Sequence, residues 1–147
     1  MARILAIDYG TKRTGVAATD PLQIIATGIG TVPTESIFDF LDQYLRGEAV
    51  ETIVVGDPKY PDGNPAQIAH LVLGFSRKLR ERYPGIEVVL HDERFTSEEA
   101  KSIIRQSGVG RKKRQDKALV DKISAVLILQ DFLEHKREQG FRPLDPG

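Results

Sequence analysis

Three short strand-like segments followed by an alternation of helix and strand patterns leave this chain few folds. Ile4-Leu5-Ala6-Ile7, Gly15-Val16-Ala17-Ala18-Thr19 and a run from Ile24 to Val32 interrupted by Gly28 and Gly30 are separated by short polar turns, so they predict an antiparallel meander. From Thr34 the period lengthens to that of a helix, with Ile37, Phe38, Phe40, Leu41, Tyr44 and Leu45 on one face and Gly47 at its end. Thr52-Ile53-Val54-Val55 then reads as a strand covered on both faces. After a turn on Pro61-Asp62-Gly63, Asn64 as N-cap, Pro65 at the first helical position and Gln67 start a helix whose apolar face is Ile68, Ala69, Val72, Phe75 and Leu79. Pro84-Gly85 ends it, and Val88-Val89-Leu90 is the last buried strand. Thr96-Ser97-Glu98-Glu99 caps a short helix with Ala100, Ile103 and Ile104, and a long helix follows from about Lys117 to Lys136.

The 147 residues fit one domain and leave no room for a second. Strands first, then alternating helix and strand, give an α/β domain: a mixed five-stranded sheet, the antiparallel meander plus parallel strands, flanked by helices. The domain is expected to span 1–139, with 140–147 as a flexible tail. The charge is balanced, 21 basic against 21 acidic residues, so any affinity for a polyanion must be local. There is no cysteine for a disulfide framework, no signal-peptide pattern at Met1-Ala2-Arg3-Ile4-Leu5, and no apolar run long enough to span a membrane. A cytoplasmic protein without a membrane partner is the expectation.

Three carboxylates stand at places that folding can bring together: Asp8 closing a strand, Glu93 just past another, and Asp121 on the apolar stripe of the long helix. At roughly 4 Å and an effective dielectric of about 20, each pair would repel by several kcal/mol, and a divalent cation is the natural remedy. With oxygen donors, no cysteine and three scattered histidines, the ion would be hard, Mg²⁺ or Mn²⁺.

Each residue also has a structural reading. Asp8 in Asp8-Tyr9-Gly10-Thr11-Lys12-Arg13-Thr14-Gly15 either accepts backbone hydrogen bonds in a hairpin or faces a metal, with Gly10 admitting a phosphate to the backbone and Lys12 and Arg13 contacting it. Glu93 either pairs with Arg94 at the surface or serves a ligand at a strand's carboxyl end, where Asp92 can ligate, orient water or cap. Asp121, Ala125, Ile128 and Phe132 fall within about 40° of one helical line, so a solvated face does not explain Asp121; an ion pair with Lys117 or Lys122 does, as does a metal. The run holding Arg105, Arg111, Lys112, Lys113, Arg114 and Lys117 is either a solvated loop or a phosphate-backbone contact, and its lack of aromatic residues argues against base stacking. Gly56-Asp57-Pro58 through Gly63 lacks the ending of a Walker A loop. His70, His91 and His135 share no spacing that suggests a site, and each reads as structural.

The segments Asp8 to Gly15, Val54-Val55-Gly56, Asp92-Glu93-Arg94-Phe95-Thr96-Ser97 and Val120-Asp121-Lys122-Ile123-Ser124-Ala125, in that order, resemble the YqgF/RuvX family over nearly the whole chain. The resemblance implies a ribonuclease H-like fold. It implies a nuclease that matures the 5′ end of pre-16S ribosomal RNA in ribosome biogenesis or, alternatively, a Holliday junction resolvase of DNA recombination and repair. Asp8, Glu93 and Asp121 would be its catalytic, metal-binding triad; Asp92 and Arg94, in the same segment as Glu93, are accessory candidates. Asp57 departs from the family's pattern, where an apolar residue such as leucine is expected.

The implied chemistry is phosphodiester hydrolysis with two ions about 3.5–4 Å apart when substrate is bound, one acidifying the attacking water and one stabilising the leaving oxygen, with Asp8 as the candidate bridge. The partner is nucleic acid, precursor rRNA or branched DNA, held by Lys12, Arg13, Arg111, Lys112, Lys113 and Arg114. A resolvase needs two active sites, so a homodimer stays open. An actin-like phosphotransferase shares the Asp8-x-Gly-Thr pattern, but it needs two such domains. A catalytically silent nucleic-acid-binding assembly protein is the third alternative.

Overall fold

A computed structural model of the chain describes residues 2–58, 68–92 and 117–140, with side chains from 119 to 137 in the last span. The meander is there: β1 (Arg3–Asp8), β2 (Arg13–Thr19) and β3 (Ala26–Pro33) pair in succession, antiparallel. A 3₁₀ turn at Thr34–Ser36 leads into α1 (Ile37–Gly47). The chain then returns as β4 (Val50–Asp57), rises through α2 (Ala69–Arg82) and closes the sheet with β5 (Glu87–Asp92). β4 lies parallel to β1 and β5 parallel to β4, giving the order β3-β2-β1-β4-β5. The last described element is α3 (Lys117–Gly140). This five-stranded mixed sheet with helices on both faces is the ribonuclease H-like arrangement.

Period-two alternation divides the sheet's side chains between two cores. Leu5, Ile7, Val16, Ile53 and Val55 face α1 and α2, where they meet Ile37, Leu41, Val72, Phe75 and Leu79. Ile4, Ala6, Ala17 and Val54 face α3, against Ala125, Ile128, Leu129 and Leu133. β4 is therefore covered on both sides, as its unbroken apolar run requires. β5 differs from expectation: only Val88 is buried, because the strand is a sheet edge that α3 barely overlies. α3 also continues four residues beyond the expected end at Lys136.

The proposed N-cap at Asn64, the turn at Pro61-Asp62-Gly63 and the capped helix from Thr96 lie outside the described residues, as does most of the 140–147 tail. None of the described helices is long and apolar enough to cross a membrane.

Candidate active site

Asp8 is the last residue of β1, and alternation gives it the same face as Ile4 and Ala6, toward α3. Its cross-strand partner on β2 is Gly15. At that point the helix comes down onto the sheet: a Cβ on Gly15 would stand 2.2 Å from the Asp121 carbonyl oxygen, so only a residue without a side chain lets the α3 backbone seat there. Gly15 thus sets the height of the first turns of α3 above β1 and β2. On the neighbouring strand β3, the Lys122 stem lies over Gly28, where a Cβ would be 2.8 Å from its Cγ. These contacts bring Asp121 beside Asp8. The stripe Asp121, Ala125, Ile128 and Phe132 packs against the sheet as its helical spacing demands, Ala125 and Ile128 being fully buried.

The electrostatics record this convergence. Burial, and second to it the Asp121 carboxylate, push the Asp8 carboxyl up from an ordinary 3.8 to about 7. Arg13 supplies positive charge: its Nε is 3.5 Å from Asp121 Oδ2. That nitrogen is buried and has no hydrogen-bond partner among the described residues, so the contact is Coulombic rather than an aligned hydrogen bond. The ion pair of Asp121 with Lys117 or Lys122 that the sequence left open is matched in kind by this pair with Arg13. Lys12 is exposed one residue earlier.

The loop carrying these cations is anchored. A Cβ at Gly10 would meet the Arg13 carbonyl oxygen at 2.3 Å, which marks a tight turn. Thr34 Oγ1 donates to the Gly10 carbonyl at 2.6 Å, its backbone N–H donates to the Lys12 carbonyl at 3.0 Å, and its hydroxyl shares a 2.9 Å hydrogen bond with that of the buried Thr14. Neither Gly15 nor Thr34 was singled out from the sequence as part of a site. A glycine inside a β-pattern is the signal that identifies the first.

At the carboxyl end of β5, alternation turns His91 toward α3 and Asp92 toward the α2 side, where it stands opposite Asp57 on β4. Both aspartates have partners there. Glu93, Arg94, Arg111, Lys112, Lys113 and Arg114 lie outside the described residues.

Two of the histidines, which share no suggestive spacing in the sequence, meet in the fold. His91 and His135 are not separate: their ring centroids are 5.4 Å apart, and the Asp131 carboxylate contacts both. Forty residues separate His91 from Asp131, so spacing alone could not reveal the group. The Asp131–His135 pair at i,i+4 was the available half of the signal.

Asp8 and Asp121 fit a hard divalent ion. They offer oxygen donors, and a carboxyl driven toward protonation by burial and a neighbouring like charge is one that a cation returns to its ionised form.

Residues 2–135 match the family described as RuvX, Holliday junction resolvase. Curated relatives that carry the name "Putative pre-16S rRNA nuclease" include one from Flavobacterium johnsoniae, 47% identical over 137 residues that cover 93% of this chain and 99% of that protein. Another, from Phocaeicola vulgatus, is 50% identical over 137 residues with the same coverage, 93% and 99%. A third, from Porphyromonas gingivalis, is 48% identical over 135 residues, 92% of this chain and 98% of the relative.

Proposed function

The chain belongs to the RuvX family, and from that premise we propose that it is a metal-dependent endonuclease that processes the 5′ end of pre-16S rRNA in the cytoplasm. The observation that carries this reading is the Asp8 carboxyl, pushed up to about 7 by burial and by Asp121 at the end of β1. A fold gains nothing in stability from two facing carboxylates there, whereas a catalytic cation needs them.

In this reading Asp8, Asp121 and Glu93 hold Mg²⁺ or Mn²⁺. Ions bound there supply positive charge that acidifies an attacking water and offsets the charge developing on the leaving oxygen. Arg13 neutralises part of the Asp121 charge, and its role in this reading is to contact a substrate phosphate. Lys12 and the Arg111–Arg114 run hold the strand through its phosphates, which provides affinity rather than sequence choice. The ribonuclease H-like domain is proposed to comprise 1–139, with 140–147 outside it.

Resolution of DNA junctions is the second reading, favoured by the description of the matching family; it requires a dimer, so that two sites act on one junction. The test is incubation of the purified protein with Mn²⁺ on precursor 16S rRNA and on a four-way DNA junction, beside Asp8→Asn. RNA cut near the mature 5′ end by the wild type and not by the variant supports the proposal. Cleavage of the junction alone would put the second reading first. Failure of the wild type on both substrates would favour a silent nucleic-acid-binding assembly protein.

A further inference from the structure

His91, Asp131 and His135 gather three metal-ligand side chains from two elements, β5 and α3. We propose that they form a second metal site, for Zn²⁺ or a similar borderline ion, separate from the carboxylate centre at Asp8 and Asp121. One ligand atom from each residue lies within 4.8 Å of the other two. His91 Nε2 and Asp131 Oδ2 are 2.6 Å apart, a hydrogen bond in the absence of an ion. Ligand atoms bonded to a tetrahedral zinc at about 2.0–2.2 Å stand about 3.3–3.5 Å from each other, so this pair opens by less than about 1 Å to admit one.

The surroundings favour that use. The His91 ring is 14% exposed and is held edge-on to Phe132, at 86° and 6.1 Å between centroids. Asp131 and His135 occupy successive turns on one side of α3, and the His135 ring is held by Nδ1, 2.8 Å from the Asp131 carbonyl oxygen. At 42% and 59% exposure these two side chains are open to an ion from solution. Two imidazoles and one carboxylate select zinc-like ions over Mg²⁺, and three protein ligands leave a coordination position for water. The site is also distinct in space: Asp131 is about 15 Å further along α3 than Asp121 at roughly 1.5 Å per residue.

The consequence is mechanical. β5 is an edge strand hydrogen-bonded to β4 on one side. An ion shared by His91, Asp131 and His135 ties that edge to the helix that carries Asp121, which β5 otherwise meets little. It is thus a clamp across the domain, and it does not depend on the nuclease reading.

The test uses the full chain, stripped with a chelator and dialysed, titrated with Zn²⁺ by calorimetry and with Co²⁺ by visible absorption. One Zn²⁺ per chain is expected to bind in the Asp8→Asn/Asp121→Asn double variant as in the wild type. Affinity should fall at least about tenfold in His135→Ala, whose exposed side chain leaves folding intact, and the intense Co²⁺ bands of low-coordinate nitrogen ligation should be lost with it. Zn²⁺ should raise the melting midpoint of the wild type but not of His135→Ala. Equal affinity in wild type and His135→Ala, loss of binding in the double variant, or no saturable binding at all would overturn the proposal.

Discussion

Asp8 puts the strongest constraint on this fold at the level of a single residue. Its folded pKa of about 7 lies above the ordinary 3.8, so between those values the folded protein holds a proton that the unfolded chain has released. Without divalent ions the stability must therefore fall as pH rises from about 4 to about 7, by up to about 4 kcal/mol. Asp8→Asn should flatten that slope and raise stability at pH 8, measured by denaturant unfolding in EDTA, while abolishing cleavage. Asp121→Asn should do less, because burial is the larger cause and persists, and because the variant also loses the Coulombic contact with Arg13. A slope unchanged in Asp8→Asn would mean that Asp8 has another counter-charge. Gly15 gives a complementary test: alanine there forces the α3 backbone away from β2 and should cost about 1–3 kcal/mol. Activity should fall more than stability predicts, since the displaced turn carries Asp121. These two residues were not equally legible. Asp8 stood out because a carboxylate at the end of an apolar strand is anomalous in one dimension, whereas the role of Gly15 rests on a helix more than 100 residues away.

At the scale of elements, legibility followed whether an element's burial is periodic along its own sequence. The stripe Asp121, Ala125, Ile128 and Phe132 was visible because it recurs at helical spacing and packs on the sheet, and the unbroken run in β4 because both of its faces are covered. The incomplete burial of β5 was not visible, since edge position belongs to the strand order rather than to the strand. The His91–Asp131–His135 group was hidden for the same reason. One long-range polar tie between elements has a measurable signature. Asp42 on α1 accepts from Arg82 of α2, and from the Tyr83 hydroxyl at 2.6 Å. These hydrogen bonds, Arg82's first, lower the Asp42 carboxyl to about 2; burial first, and then the hydrogen bond to Asp42, raise the Tyr83 hydroxyl to about 12. A depressed carboxyl contributes stability that is present above its unfolded value and is lost as pH falls toward 2. Asp42→Asn should accordingly lower the denaturation midpoint at pH 6, with the difference from wild type shrinking steadily below pH 4. A difference independent of pH would assign the loss to packing.

For the whole molecule the deciding quantity is the distribution of charge. Basic and acidic residues are equal in number, 21 of each, so the chain has no net field to draw in a polyanion, and binding must depend on where the cations are concentrated. Arg111, Lys112, Lys113 and Arg114 are the densest such run; Arg13 is set beside Asp121 by the fold, and the exposed Lys12 precedes it in the chain. If the run grips phosphates, each contact releases counterions, and affinity falls with salt in proportion to their number. Neutralising all four should lower the slope of log affinity against log salt by up to about 3.6 on duplex DNA or about 2.8 on a single strand. The stability effect of Asp8→Asn in EDTA should be the same in that background, since its cause is local burial and Asp121. An unchanged salt slope would instead make the run a solvated segment and leave Lys12 and Arg13 as the phosphate contacts. In that case Lys12→Ala alone should reduce the slope by about 0.7–0.9, one phosphate's worth, without moving the melting midpoint.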